Sequence, residues 1–132
     1  MTVTLPSQVS PPEFALSAAL PHAILGVEVV AVPVLPGAAD GDPLVLGPGA
    51  EGLADQIGVD LLAVLEADRA TGGAGEVTAV PVPLGASDNA ELRWVLLAGV
   101  GEQTRDDLRR AGAALARWTR DRASLATTVP AV

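Results

Sequence analysis

The stretch Trp94-Val95-Leu96-Leu97-Ala98-Gly99-Val100 is apolar at nearly every position, and a long helical pattern opens just after it at Thr104. A strand without a polar face has to be covered on both sides, as in the middle of an α/β sheet. Leu108, Ala111, Leu115 and Trp118 recur at helical spacing, which predicts a helix over about 104–122. Thr104 is a suitable N-cap, and Asp107, three residues on, resembles a capping box. Asp106 and Asp107 suit the positive end of the helix dipole; Arg117, Arg120 and Arg122 suit the negative end. A strand over Leu125–Val129 completes a strand–helix–strand unit, whose connection implies parallel strands and a right-handed crossover.

The rest of the chain fits around this unit. Val27–Leu35 is β-branched and strand-like, with Pro33 expected near its end or on an edge. Phe14–Leu20 alternates weakly and is expected to form an edge strand. The segment 36–49 reads as a Pro/Gly/Asp loop containing a short strand at Leu44–Leu46. A helix from Ala50 to Ile57 should end at Gly58, and a second, capped by Asp60, should run to Ala67 with Leu61, Leu62 and Leu65 on its apolar side. Thr71–Gly75 reads as a turn and Glu76–Val82 as a strand. The expected fold is α/β: a mixed, largely parallel sheet with helices on both faces. The expectation is one domain over 1–132, with residues 1–12 disordered or extended and no internal repeat.

Composition excludes more than it suggests. Hydrophobic residues make up 49% of the 132 residues and aromatics only 2%, so the core must be aliphatic. There is no cysteine, which removes disulfide and thiolate chemistry. Sixteen acids face eight bases, all arginine, for a net charge of −8. Such a surface repels a phosphate backbone, making nucleic acid a poor partner, and its ordinary role is solubility. The N-terminus lacks a basic signal-peptide region, and no run approaches the ~18 apolar residues of a membrane span. A cytoplasmic location without membrane attachment is expected.

Most catalytic arrangements fail on inventory. His22 is the one histidine and lies in a Pro-initiated turn, where it is more often structural than reactive. One histidine and no cysteine cannot build the usual zinc sites. Asp40-Gly41-Asp42 reads as a turn and lacks the remaining ligand spacing of a calcium loop. Serines 7, 10, 17, 87 and 124 lie in no nucleophile motif. Gly99-Val100-Gly101, between strand and helix, is the one suggestive feature, because a helix N-terminus can receive an anion. Thr104 stands where a dinucleotide fingerprint wants glycine, and Glu102, Asp106 and Asp107 would repel a phosphate. A tight turn with close packing explains the glycines better. No catalytic, cofactor-binding or metal residue is assigned.

Ala74-Gly75-Glu76-Val77, the strand Trp94–Gly101, the helix with Arg109-Arg110-Ala111-Gly112-Ala113-Ala114 and the strand after it, taken in this order, resemble the N-terminal domain of the cytosol (leucyl) aminopeptidase family. The likeness spans about residues 25–130. It implies a macrodomain-like fold and a parent that removes N-terminal residues from peptides with two divalent metals, zinc or manganese. In that family the metals and the catalytic residues belong to a C-terminal domain. Its Lys-bearing strand, its Asp-Ser-Gly-Gly segment and its Asn-Thr-Asp-Ala-Glu-Gly-Arg segment have no counterpart here, so no site residue is carried over. The family's N-terminal domain generally runs further, so the chain is expected to be a trimmed piece. The implied partners are the catalytic domain and other copies in a hexamer. A different reading also follows from the macrodomain likeness: a binding module for a small molecule of the ADP-ribose type, held near Gly99–Gly101.

Overall fold

Strand β1 (Val29–Leu35) is the organising element of the computed structural model, which describes residues 13–39 and 41–131. It lies parallel to β4 (Trp94–Gly99) along nearly its whole length, from Val29 opposite Trp94 to Val34 opposite Gly99. Its other edge is shared. The N-terminal half pairs in parallel with β5 (Leu125–Thr127), and the C-terminal end pairs antiparallel with β2 (Val45–Leu46). The strand β3 (Val77–Pro81) closes the sheet antiparallel to β4. The sheet therefore has five strands in the order β2-β1-β4-β3, with β5 beside β1.

The pairings divide evenly, two parallel and two antiparallel, so the expectation of a largely parallel sheet gives way to a mixed one. The reason is local. No helix separates β1 from β2 or β3 from β4, and short helix-free connections return the chain antiparallel. The β4–α3–β5 crossover joins strands that lie on either side of β1, and α1 and α2 lie on the connection from β2 to β3.

Pro33 sits inside β1, and its placement shows how a central strand accommodates it. The carbonyl of Ala31 accepts from Thr128, and that of Pro33 accepts from Gly47 at 2.9 Å, so these residues face the shared edge. Pro33 falls where β5 has ended and β2 begins, and its missing N–H breaks no bond to β4. Its ring fills the space of a Gly47 side chain, so a Cβ there would run into the ring.

Three helices follow the sequence pattern closely. Helix α1 (Ala50–Ile57) ends at Gly58, which takes the left-handed conformation at φ 67°. Helix α2 (Leu61–Ala67) starts at Asp60, whose carboxylate accepts from Ala63 N–H at 3.1 Å. Helix α3 (Arg105–Trp118) starts at Thr104, whose hydroxyl accepts from Asp107 N–H at 3.1 Å. It stops four residues short of the expected Arg122. The Thr119 hydroxyl donates to the Leu115 carbonyl at 2.7 Å, and the chain then turns back toward β1. The strand expected over Leu125–Val129 stops at Thr127, and a 3-10 turn covers Val129–Ala131 around Pro130.

Alternate residues of β1 enter two separate apolar clusters. Val30, Val32 and Val34, with Val95 and Leu97 of β4, pack with Leu53 of α1 and Leu61 and Leu65 of α2. Val29 and Ala31, with Leu96 and Ala98 of β4, pack with Ala111 and Leu115 of α3. Period-two alternation thus splits a run that is apolar at every position into two cores. The edge strand expected at Phe14–Leu20 does not form: Phe14 is 91% exposed and Leu16 105%, and the segment pairs with no strand. A weak alternation without a neighbouring edge provides no ladder. Residues 1–12, expected to be disordered or extended, lie outside the described residues. Among the described residues no helix is long and apolar enough to cross a membrane.

Candidate functional site

The glycine turn between β4 and α3 is closed by the chain itself. Gly99 N–H donates to the Glu76 carbonyl at 2.7 Å, and its own carbonyl accepts from Gly75 N–H at 3.1 Å. Gly101 N–H donates to the Gly72 carbonyl at 2.9 Å. A Cβ at Gly99 would collide with the Gly73 carbonyl oxygen and lie 2.9 Å from the Gly72 carbonyl carbon. The 72–75 backbone therefore occupies the space where a ligand would approach, and only glycine at 99 admits it.

That loop is held in turn by Glu76. Its carboxylate accepts from Thr71 N–H and Thr71 Oγ1–H, both at 2.8 Å, and from Gly72 N–H at 3.4 Å. The Gly75-Glu76 pair thus shapes the turn: the glycine takes φ 86°, and the glutamate fixes the loop that receives Gly101. The start of α3 is equally committed. Asp107 accepts from Glu102 N–H at 2.9 Å while its own N–H goes to Thr104. This departs from a regular capping box, in which the carboxylate at the third helical position would return to the N-cap amide. It places a carboxylate against Gly101, where an anion would otherwise sit.

His22 is in the expected turn, a 3-10 turn over Pro21–Ala23. Its ring lies against α1, so that a Cβ at Gly52 would fall 2.5 Å from the ring. Its Nδ1 is buried without a hydrogen-bond partner among the described residues, and its carbonyl accepts from Gln56 Nε2 at 3.1 Å. Asp42 closes a turn, accepting from Ala39 N–H at 3.0 Å; Asp40 lies outside the described residues. The Ser17 and Ser124 hydroxyls accept from backbone amides at Ala19 and Glu28. Among the described residues, no group of three or more His, Asp or Glu side chains is placed to hold a metal.

Two polar clusters have no counterpart in the sequence reading. Glu28, just before β1, accepts from Ala123 N–H at 2.9 Å and pairs with Arg122 at 3.2 Å. The Ala123 amide first, and then Arg122, hold its carboxyl below the ordinary carboxylate value. The Arg122 guanidinium also lies 5.8 Å from the Trp94 ring centre and 5.5 Å from that of Trp118, while the two rings meet edge to face at 5.0 Å. This group ties the return of α3 to the start of the sheet. Buried Asn89 joins the 85–93 loop to the chain before β1, accepting from Gly26 N–H and donating to the Val27 carbonyl, both at 3.1 Å. Apart from the Glu91 amide, which also donates to Asn89, these partners lie 62 to 95 residues away in sequence, so no local pattern signals them.

The sequence profile described as cytosol aminopeptidase family, N-terminal domain, matches residues 29–131, from the first residue of β1 to the final 3-10 turn. The chain belongs to this family. No curated protein matches the chain. Within the cytosol aminopeptidase N-terminal domain, the Gly75-Glu76 element and the Gly99–Gly101 strand end are one structural unit, because the first loop fills the second turn.

Proposed function

We propose that this chain is the non-catalytic N-terminal domain of a metal-dependent leucyl aminopeptidase, acting in the cytoplasm. In this reading it contributes to hexamer assembly and limits access to an active site carried by a C-terminal domain with two divalent metals, zinc or manganese. The observation that carries it is the family match over residues 29–131, and the closed Gly99–Gly101 turn, the one place where the sequence suggested a ligand, agrees with it. The described residues do not fit the metals: their carboxylates are dispersed, and the single histidine packs against Gly52. In this reading the metal chemistry belongs to the proposed C-terminal domain. The macrodomain-like layering is part of the same proposal. It is supported by the division of β1 and β4 side chains between an α1/α2 cluster and an α3 cluster.

Leucine p-nitroanilide with added manganese is the direct test. The purified chain should release no nitroaniline above the buffer rate, and activity that co-purifies with it through several columns would refute the reading. Binding of ADP-ribose is the competing proposal. Asp107 against Gly101, with Glu102 and Asp106 exposed beside it, disfavours a diphosphate there.

A further inference from the structure

β1 and β4 are parallel neighbours, yet the chain leaves their carboxyl ends toward opposite faces of the sheet. From β1 it passes through β2 to α1 and α2, which join the cluster of Val30, Val32 and Val34. From β4 it passes directly to α3, which joins the cluster of Val29 and Ala31. Where two such connections part, the strand ends are left uncovered and a crevice opens; in open α/β sheets this is where ligands bind. The crevice here has a volume of about 770 Å³, within the ~300–1,000 Å³ of small-molecule sites. Its walls include Leu35 at the end of β1, Leu46 of β2, Glu51 in the first turn of α1, Asp60 and Leu62 at the start of α2, and Gln103 from the β4–α3 turn. The Gly72–Glu76 loop, which closes the glycine turn, is not part of this lining.

The lining combines two chemistries. Leu35, Leu46 and Leu62 form an apolar wall, and Leu62 stays 42% exposed beside its buried neighbour Leu61. Glu51 and Asp60 supply the charge among the described lining residues, and both are negative. Neither is paired with an arginine. Asp60 spends Oδ1 on the Ala63 N–H, while its Oδ2 makes no hydrogen bond among the described residues. Such a crevice repels an anion, ADP-ribose included. It does not suit a divalent metal either, because two carboxylates on separate helices fall short of the roughly six oxygen ligands such an ion takes. An organic cation fits both parts. An ammonium has three donors and no acceptor, so the two carboxylates can share it, and Gln103, held by the turn at φ 62°, adds a neutral amide. A hydrocarbon chain attached to it covers the leucines.

We propose that the crevice at the carboxyl ends of β1 and β4 binds a primary ammonium carried on an aliphatic chain. Charge complementarity selects the head group, through Glu51 and Asp60, and the exposed leucine wall selects the body. The site is separate from the assembly and access roles proposed above, and its failure would leave them unaltered.

Octylamine is the probe, with octanoate and octanol as controls of the same chain and of opposite or no charge. Heteronuclear NMR of the purified chain at low salt reads the titration. The amides of Leu35, Leu46, Glu51, Leu62 and Gln103 should shift together and saturate with octylamine, while those in the middle of α3 stay unmoved. The double variant Glu51→Gln/Asp60→Asn should weaken binding about tenfold or more, since each lost charge-assisted hydrogen bond is worth that much. Asparagine at 60 keeps the cap of α2, so the fold is retained. Leu62→Ala should weaken octylamine several-fold. Raising NaCl to about 500 mM should weaken wild-type binding too, a readout that needs no variant. Shifts scattered over the surface that never saturate, octanoate or octanol binding as tightly as octylamine, or a folded double variant that binds like wild type would each overturn the site. Saturation of the same amides by ADP-ribose would also overturn it.

Discussion

Leu97→Ala removes three carbons from the most protected part of β4, where the side chain is 1% exposed among Val32, Val80, Val95 and the α1/α2 leucines. The transfer loss alone is about 2.4 kcal/mol, at ~0.8 kcal/mol per buried methylene. The neighbours are fixed in a sheet whose strands pair on both sides of β4, so they cannot collapse fully into the gap. The residual cavity raises the cost to about 3–4 kcal/mol, inside the usual range for buried leucine. Urea titration followed by tryptophan fluorescence measures it, since Trp94 and Trp118 meet at 5.0 Å in the native state and separate on unfolding. The midpoint should fall with an unchanged slope. Leu62→Ala, at a position 42% exposed, should cost less than about 1 kcal/mol and serves as the control. A loss under about 0.5 kcal/mol for Leu97→Ala would refute the placement of β4 in the covered middle of the sheet.

Other consequences are equally open to measurement. Thr104→Ala removes the acceptor for Asp107 N–H and should cost about 0.5–2 kcal/mol, read as a lower urea midpoint, with Thr104→Ser retaining most of the stability. The depressed carboxyl of Glu28 contributes stability above its unfolded value, and that contribution is lost as pH falls through the lower folded value. The Tm difference between wild type and Glu28→Gln should therefore be constant near neutrality and shrink below about pH 4.5; a difference that grows on acidification would reverse the assignment.

Elements whose signal is local were legible in the sequence. The α1 and α2 limits, the Asp60 and Thr104 caps and the Gly58 stop all depend on residues within one or two turns, and all appear where the pattern puts them. The βαβ logic also placed β4, α3 and β5 correctly in order. Strand partners were not legible, because apolar runs such as Val29–Leu35 and Trp94–Gly99 carry no register of their own. The same physics explains two of the departures. Phe14–Leu20 has strand-like alternation but pairs with no strand among the described residues, and the chain beyond α3 turns back so that Arg122 meets Glu28, 94 residues away. At the glycine turn the sequence favoured close packing over a ligand, but it did not reveal that the packing partner is the Gly72–Glu76 loop.

Solution NMR of the Gly99 and Gly101 amides examines that closed turn most directly. Both N–H groups are committed to carbonyls of the Gly72–Glu76 segment, so they should exchange slowly with solvent and keep their chemical shifts during titration with inorganic phosphate or ADP-ribose. Fast exchange at these two amides, with shifts that move and saturate as either anion is added, would mean that the turn is an open binding site.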